Sequence, residues 1–385
     1  MPVRNYDLLK NKTLALFFTF NVSLKTWHDV GMINREVTLY NKLSNYLKHI
    51  YFFTYGGKED LKFKNYLSEN ITILPVPFIH TSRSPKWFLP LMLAYSFLLP
   101  FIHYKILKNV DILKTNQMSG SWSAVIAKIL LRKKLIVRTG YTWSLFVGRN
   151  NPKSWKKKIV KAIERFSYYF ADGVIVSSNN DLEYLRNNYR LNGYQIIIPN
   201  YIDTDVFKPL NIQKKKGSIC FVGRLDKQKN LFSLLEAMVG LPYTLTIVGS
   251  GPLRENLEKY AKEKELNVEF LGNIPNSELP KILNQHEIFI LPSLYEGMPK
   301  ALLEAMACGL PVIGTNVEGI KEVIKHEENG YLCETDANSI KEAIRKVLDN
   351  KKLQEKIGKN ARQTIVNNFS LKNILKKEII IYEAL

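Results

Sequence analysis

The chain has 385 residues, 46% hydrophobic and 23% charged, values ordinary for a folded globular protein and outside the range of disordered or collagen-like chains. That length exceeds what one hydrophobic core organises and predicts two domains. The formal net charge of +20 is lopsided: residues 1–210 hold 30 Lys and Arg against 13 Asp and Glu, whereas residues 211–385 hold 25 against 22. The basic half is therefore expected to face an anionic polymer or membrane. The three cysteines, Cys220, Cys308 and Cys333, stand far apart with no C-x-x-C pair or histidine cluster, which argues against a zinc framework and predicts small buried thiols.

In chain order, Leu14 to Phe20 is apolar but short and lacks the cleavable pattern of a signal peptide, so it reads as the first strand. Ile33, Val37, Tyr40 and Leu43 then recur at helical spacing, with Gly31 just before them. The stretch Pro85 to Lys105 is the most apolar of the chain, and from Trp87 to Tyr104 it carries no acidic or permanently basic side chain. Its length touches the lower limit of roughly 18 residues for a bilayer span. Pro90 and Pro100 argue against one straight helix, so a helix dipping into a membrane interface or lining an acceptor groove is expected, with a buried core helix as the competing reading. Val110 to Leu113 and Leu135 to Arg138 read as strands flanking a helix from Ser123 to Leu131. Basic clusters follow at Arg132 to Lys134 and, interleaved with aromatics, along Lys153 to Phe166. ADGVIVSS is a strand, NDLEYLRNNY a helix capped by Asn or Asp, and IIIPNYIDTDVFKP a connector stiffened by Pro199 and Pro209 in which Asn200 and Asp203 make turn hydrogen bonds.

The second half opens with a strand from Ser218 to Val222, Gly223, and a helix from Asn230 to Met238. Arg224 and Lys229 project from the intervening loop, two cations at a strand's carboxyl end. Thr244 onward gives a strand and a glycine turn from Gly249 to Gly251, and VEFLGNIP gives another strand. The organising stretch is Leu291 to Ile313, LPSLYEGMPKALLEAMACGLPVI: a strand end, a glycine-bearing loop, a helix with Pro299 at its first position, and a further strand. Helical side chains lean toward the N-terminus, so Glu304 in the second turn reaches back toward Glu296 in the loop, beside the amides near Gly297 and Met298. A glutamate pair at this spacing is most often just two solvated residues. Here the strands on both sides are apolar throughout, which places the loop at the carboxyl end of a parallel sheet, where open α/β folds bind ligands. Helices from Ile340 to Leu348 and from Leu353 onward complete the chain.

These residues resemble the retaining GT-B glycosyltransferases of the family 4, or group 1, type. The Glu-x7-Glu element in EGMPKALLEAMACGLPVI resembles the family's donor-site signature, and GRLDKQK its diphosphate clamp. The resemblance implies two doubly wound, Rossmann-like α/β domains facing a cleft. The expected division is an acceptor-binding domain over 1–210, a nucleotide-sugar-binding domain over 211–370, and a C-terminal helix, 371–385, packing back on the first domain. It implies that Arg224 and Lys229 stabilise the leaving diphosphate, that Glu296 takes hydroxyls of the transferred sugar and that Glu304 takes those of the ribose. Gly272, Asn273 and Ile274 hold the base through backbone contacts in that scheme; Gly223, Gly297, Met298 and Pro299 line the donor, and Gly31 stands for the family's glycine-rich first loop. Where the family commonly has a histidine after the strand ending at Arg138, this chain has Gly140 and Tyr141. The expected reaction needs no metal and no resident cofactor, and uses a nucleoside diphosphate sugar as donor and a glycan or lipid-linked precursor as acceptor. An anionic membrane surface is the expected further partner, nucleic acid is not, and the expected place is the cytoplasm, peripheral on the inner face of the membrane. A nucleotide-sugar epimerase of the same fold and a non-enzymatic membrane-surface protein are the alternatives; the second leaves Arg224, Lys229, Glu296 and Glu304 unexplained.

Overall fold

In the computed structural model, which describes residues 9–79, 89–150 and 155–385, the chain divides into two compact units. One runs to Pro199 and takes in Leu375–Leu385; the other is Asn200–Ile374. The division thus falls before the one expected at residue 210, because Ile202 and Phe207 of the connector are buried in the core of the second unit.

The first unit is a sheet of seven strands: β1 (Thr13–Phe17), β2 (His49–Phe53), β3 (Ile71–Leu74), β4 (Ile112–Thr115), β5 (Lys134–Arg138), β6 (Gly173–Val176) and β7 (Tyr194–Ile197). They run in the order β3-β2-β1-β4-β5-β6-β7, every pairing parallel, with Leu14 opposite both Ile50 and Ile112. Helices cover both faces, so β1 is buried at every position and reads as an unbroken apolar run rather than an alternating one. The short strands β2 (HIYFF) and β3 (ITIL) are additions to the expected set.

Inside β4 stands Lys114, fully buried, its Nζ 2.6 Å from Glu378 and 3.1 Å from the Tyr382 hydroxyl. Arg138 of β5 reaches the other oxygen of Glu378 at 3.2 Å. Both partners come from the C-terminal helix Leu371–Glu383, whose part from Leu375 belongs to this unit. Burial pushes the Lys114 amine down to about 8 despite the pull of Glu378. Burial alone would raise the Glu378 carboxyl, but Lys114 and Arg138 together hold it below its ordinary value.

The apolar stretch forms one helix, Leu89–Ile102, with Pro100 inside it; residues 85–88 lie outside the described residues, as does Lys153 of the basic cluster. Two prolines do not break this helix. Pro90 sits in the first turn, where a missing N–H costs nothing, and the carbonyl of Ser96, deprived of its partner by Pro100, accepts instead from Ser123 Oγ at 2.6 Å. Among the described residues no helix is long and apolar enough to cross a membrane.

The second unit repeats the plan with β8 (Ser218–Val222), β9 (Thr244–Val248), β10 (Val268–Gly272), β11 (Ile288–Leu291), β12 (Val312–Thr315) and β13 (Tyr331–Cys333), in the order β10-β9-β8-β11-β12-β13 and again all parallel. The three cysteines are buried here with free thiols, and burial pushes Cys308 and Cys333 up to about 12 and Cys220 higher still, so they are unreactive packing residues.

Two local readings are corrected. The helix Asn179–Asn188 is capped by Ser178, whose hydroxyl accepts from the amide of Asp181, not by Asn or Asp. Pro299 is the N-cap residue, in an extended conformation, and the helix proper is Lys300–Ala307. Proline's fixed φ suits either position, so one residue of uncertainty was inherent in the pattern.

Candidate active site

In each sheet the strand order reverses once, and in the second unit the reversal lies between β8 and β11. Loops leaving adjacent strands on either side of such a switch diverge and open a crevice at the carboxyl ends. The loop after β8 carries Lys229 and the loop after β11 carries Glu296, and the two meet there: Lys229 Nζ is 2.5 Å from Glu296 Oε1, with both side chains largely covered. Ser293 Oγ donates to the same carboxylate oxygen at 2.6 Å, and Gln228 Nε2 approaches the other at 3.4 Å while donating to the Tyr295 carbonyl at 2.9 Å. The Leu294 amide donates back to the Gln228 carbonyl at 2.8 Å, so backbone as well as side chains lock the two loops together.

Arg224 differs. Its side chain is 75% exposed and pairs with Asp226 at 2.7 Å, which leaves it able to swing onto a ligand. Glu304 is buried in the helix Lys300–Ala307 and accepts from Asn276 Nδ2 at 3.2 Å. The connector joins in through Asn200, whose Nδ2 donates to the Met298 carbonyl at 2.9 Å, and Asp203 Oδ1 accepts from the Asp205 amide at 3.1 Å. The Asp203 contact is the turn hydrogen bond expected from the sequence; Asn200 instead makes a long-range contact to the loop that carries Met298.

Two glycines make the loops possible. Gly249, at φ +132°, follows β9 so closely against β8 that an added Cβ would stand 1.9 Å from the Gly223 carbonyl oxygen. Gly319, at φ +81° beyond β12, would put a Cβ 1.9 Å from the Gly297 carbonyl oxygen, so the Glu296–Gly297 loop rests directly on backbone. The Gly272 carbonyl accepts from the Gly249 amide at 2.7 Å; beyond it Asn273 is exposed and Ile274 packs on the core cluster at the same edge.

The structure therefore gathers Gly223, Arg224, Lys229, Gly272 to Ile274, Glu296 to Pro299 and Glu304 onto the carboxyl edge of one sheet. Gly31 belongs to the other unit, exposed at φ +70° in the turn between helices Leu24–Asp29 and Ile33–Leu43, with a helix between it and the end of β1. Gly140 has its amide held by Gln117 Oε1 at 2.8 Å. Gln228, Ser293, Asn276 and Gly319 were not singled out by sequence reasoning. Ser293, three residues before Glu296 in a loop leaving a buried strand, is the one whose spacing offered a signal. Among the described residues no three His, Cys, Asp or Glu side chains gather as a metal-binding set.

Comparison with known proteins gives the family and the fold. The family model described as Glycosyl transferases group 1 matches residues 203–364, and that described as Glycosyltransferase Family 4 matches residues 45–206. The chain is 31% identical over 300 residues to the Escherichia coli UDP-Gal:alpha-D-GlcNAc-diphosphoundecaprenol alpha-1,3-galactosyltransferase, covering 71% of this chain and 75% of that one. Its fold matches sucrose-phosphate synthase from Thermosynechococcus elongatus with a TM-score of 0.80 at 22% identity, covering 97% of this chain and 99% of the other. It also matches Anabaena HepE in complex with UDP and glucose with a TM-score of 0.74 at 17% identity, covering 97% and 100%. The chain is a glycosyltransferase of the GT-B architecture and belongs to the group 1, family 4 type.

Proposed function

We propose that the chain transfers a glycosyl group from a nucleoside diphosphate sugar, with retention of anomeric configuration, to a glycan precursor carried on a lipid or at the cell surface. The observation that carries this reading is the Lys229–Glu296 pair at the switch point between β8 and β11, a covered cation and a covered carboxylate side by side at the place where α/β sheets bind ligands. Lys229 neutralises charge as it grows on the departing diphosphate, and Arg224 joins it by leaving Asp226, a surface pair whose release costs little. Glu296, with Ser293 and Gln228 fixing its oxygens, accepts from hydroxyls of the transferred sugar. Glu304 accepts from the ribose, and the backbone of Gly272, Asn273 and Ile274 holds the base. Gly223, Gly297, Met298 and Pro299 form the surface beneath the donor, while the first domain receives the acceptor. The name of the Escherichia coli relative supports a diphospholipid acceptor, and the HepE complex supports a nucleotide donor. The reaction runs without an obligatory metal or resident cofactor, and the enzyme works peripherally on the cytoplasmic face of a membrane.

A thermal-shift panel of nucleoside diphosphates and their sugars tests this. At least one should raise the melting temperature saturably in the wild type, and the rise should shrink in Arg224→Ala. No shift from any member would remove the donor-site assignment, and a transferase that stops on addition of a chelator and recovers with added divalent metal would overturn the metal-free mechanism.

A further inference from the structure

We propose that a layer of three helices on one face of the first unit's sheet is a docking surface for an anionic lipid bilayer. The helices are Leu89–Ile102, Ser121–Leu131 and Trp155–Phe170. They precede β4, β5 and β6 as the chain steps in one direction across the sheet, and right-handed crossovers place such helices on a common face. Contacts join them: Trp122 Nε1 donates to Ser96 Oγ at 2.8 Å, and Ser121 and Ser167 hydroxyls lie 2.7 Å apart. The opposite face is covered by the helix Ile33–Leu43 and the C-terminal helix, which meet Lys114 of β4 through Tyr40 and Glu378.

The outer surface of this layer is apolar where a water-facing layer would be polar. On the first helix Met92, Tyr95 and Leu99 are buried, while Leu91, Phe97, Leu98, Phe101 and Ile102 face outward, each more than two-fifths exposed. On the third helix Trp155, 67% exposed, is followed by Ile159, Phe166 and Tyr169. Their spacing puts them in one stripe opposite the buried Val160, Glu164 and Ser167. Ile129 and Leu130 lie between, at the end of the second helix.

Charge completes the pattern. Lys158, Lys161 and Arg165 form an exposed column beside the aromatic stripe, and Arg132 and Lys134 are exposed after the second helix. The first two helices contain no acidic residue, and Glu164, the acidic residue of the third, is fully buried and accepts from the Ser144 amide and the Tyr189 hydroxyl. No carboxylate of these helices therefore faces outward. Asp172, just past the third helix, pairs with Lys128 and lies 4.0 Å from Lys134, and the other charges named here are cations. Apolar ridges fringed mainly by cations fit a surface that is anionic at its headgroups and apolar beneath. A symmetric contact with a second copy would instead set basic column against basic column.

This deepens the reading of a lipid-linked acceptor and rests on it only for its purpose. Binding is measured without donor or acceptor, so failed docking leaves glycosyl transfer standing, and failed transfer leaves docking standing. The intact protein is sedimented with vesicles of phosphatidylglycerol and phosphatidylcholine, and with phosphatidylcholine alone, across a salt series. Wild type should prefer the anionic vesicles and retain part of its binding at high salt. Replacing Lys158, Lys161 and Arg165 together with Gln should weaken low-salt binding about a hundredfold. Leu98→Asp combined with Phe101→Asp should remove the salt-resistant part, whereas Phe232→Asp, an acidic change on an exposed apolar residue of the second unit, should not. Should the paired aspartates unfold the protein, quenching by brominated lipid read as the difference between wild type and Trp155→Phe still decides. The proposal is overturned if wild type ignores anionic vesicles at low salt, if Phe232→Asp is as damaging as the face variants, or if wild type is a dimer that Leu98→Asp and Phe101→Asp dissociate.

Discussion

Replacing Lys229 by Met removes a charge that the structure uses twice, once against Glu296 and once, on the proposed mechanism, against the leaving diphosphate. At the 2.5 Å separation of Lys229 and Glu296, the Coulomb attraction is about 7 kcal/mol at an effective dielectric of about 20. Desolvation of two largely covered groups offsets most of that and leaves a net coupling on the order of 2–3 kcal/mol. Lys229→Met strands the Glu296 carboxylate with Ser293 and Gln228 as its remaining partners, so the variant should be destabilised. Adding Glu296→Gln removes the stranded charge and should restore much of the loss. In a unit of this size each kcal/mol moves the melting temperature by about 2–4 °C, so the double-mutant cycle should close with a coupling of roughly 4–12 °C in calorimetric scans. Turnover should behave differently. Loss of a preorganised cation lowers kcat by about a hundredfold or more, and the double variant, though restabilised, should not regain it. A coupling under about 0.5 kcal/mol would mean the pair is effectively solvated, and turnover near wild type in Lys229→Met would refute the diphosphate role.

The two glutamates should separate by ligand in calorimetric titration: Glu304→Gln should weaken the nucleoside diphosphate itself, whereas Glu296→Gln should spare it and weaken the sugar-bearing donor. Equal losses for both ligands in both variants would show that the roles are wrongly divided. In the first unit, Glu378→Gln leaves Lys114 buried without its counter-charge and should cost on the order of 3–5 kcal/mol of stability. Because the Glu378 carboxyl is held below its ordinary 4.5, its contribution is complete above that value and is lost as pH falls through the lower folded-state value. Melting temperatures of the wild type should therefore drop on acidification through that window, and the Gln variant should show a flatter acid limb; parallel acid limbs would show that this carboxylate is not linked to folding.

Much of the second unit was legible from sequence because its central strands are buried on both faces. SICFV and IFIL are apolar but for Ser218, and the loop between IFIL and the following helix carries the glycine and proline that such a crossing needs. Arg224, Lys229, Glu296 and Glu304 could be singled out because strand ends mark where ligands bind. The edge strands were harder: YLC of β13 and ITIL of β3 are too short for their period to stand out. Pro299 fell one residue outside its expected helical position, since proline's φ satisfies the N-cap and the first turn alike.

What the chain's own pattern determined was the rhythm of strands and helices and the presence of cations and carboxylates at particular strand ends. Which of these meet was decided by tertiary structure. Lys229 reaches Glu296 because strands distant in sequence become neighbours at β8 and β11, and no local pattern encodes that adjacency. Lys114 looks like an error in the buried strand ILKT until the C-terminal helix delivers Glu378 to it. The aromatic and lysine residues of WKKKIVKAIERF are a mixed cluster when read along the chain and a stripe beside a column once wound on a helix whose other side is buried. Local pattern is set by each residue's own preference for water or core, whereas pairing and exposure depend on which surfaces the whole chain leaves uncovered after its strands have found their order.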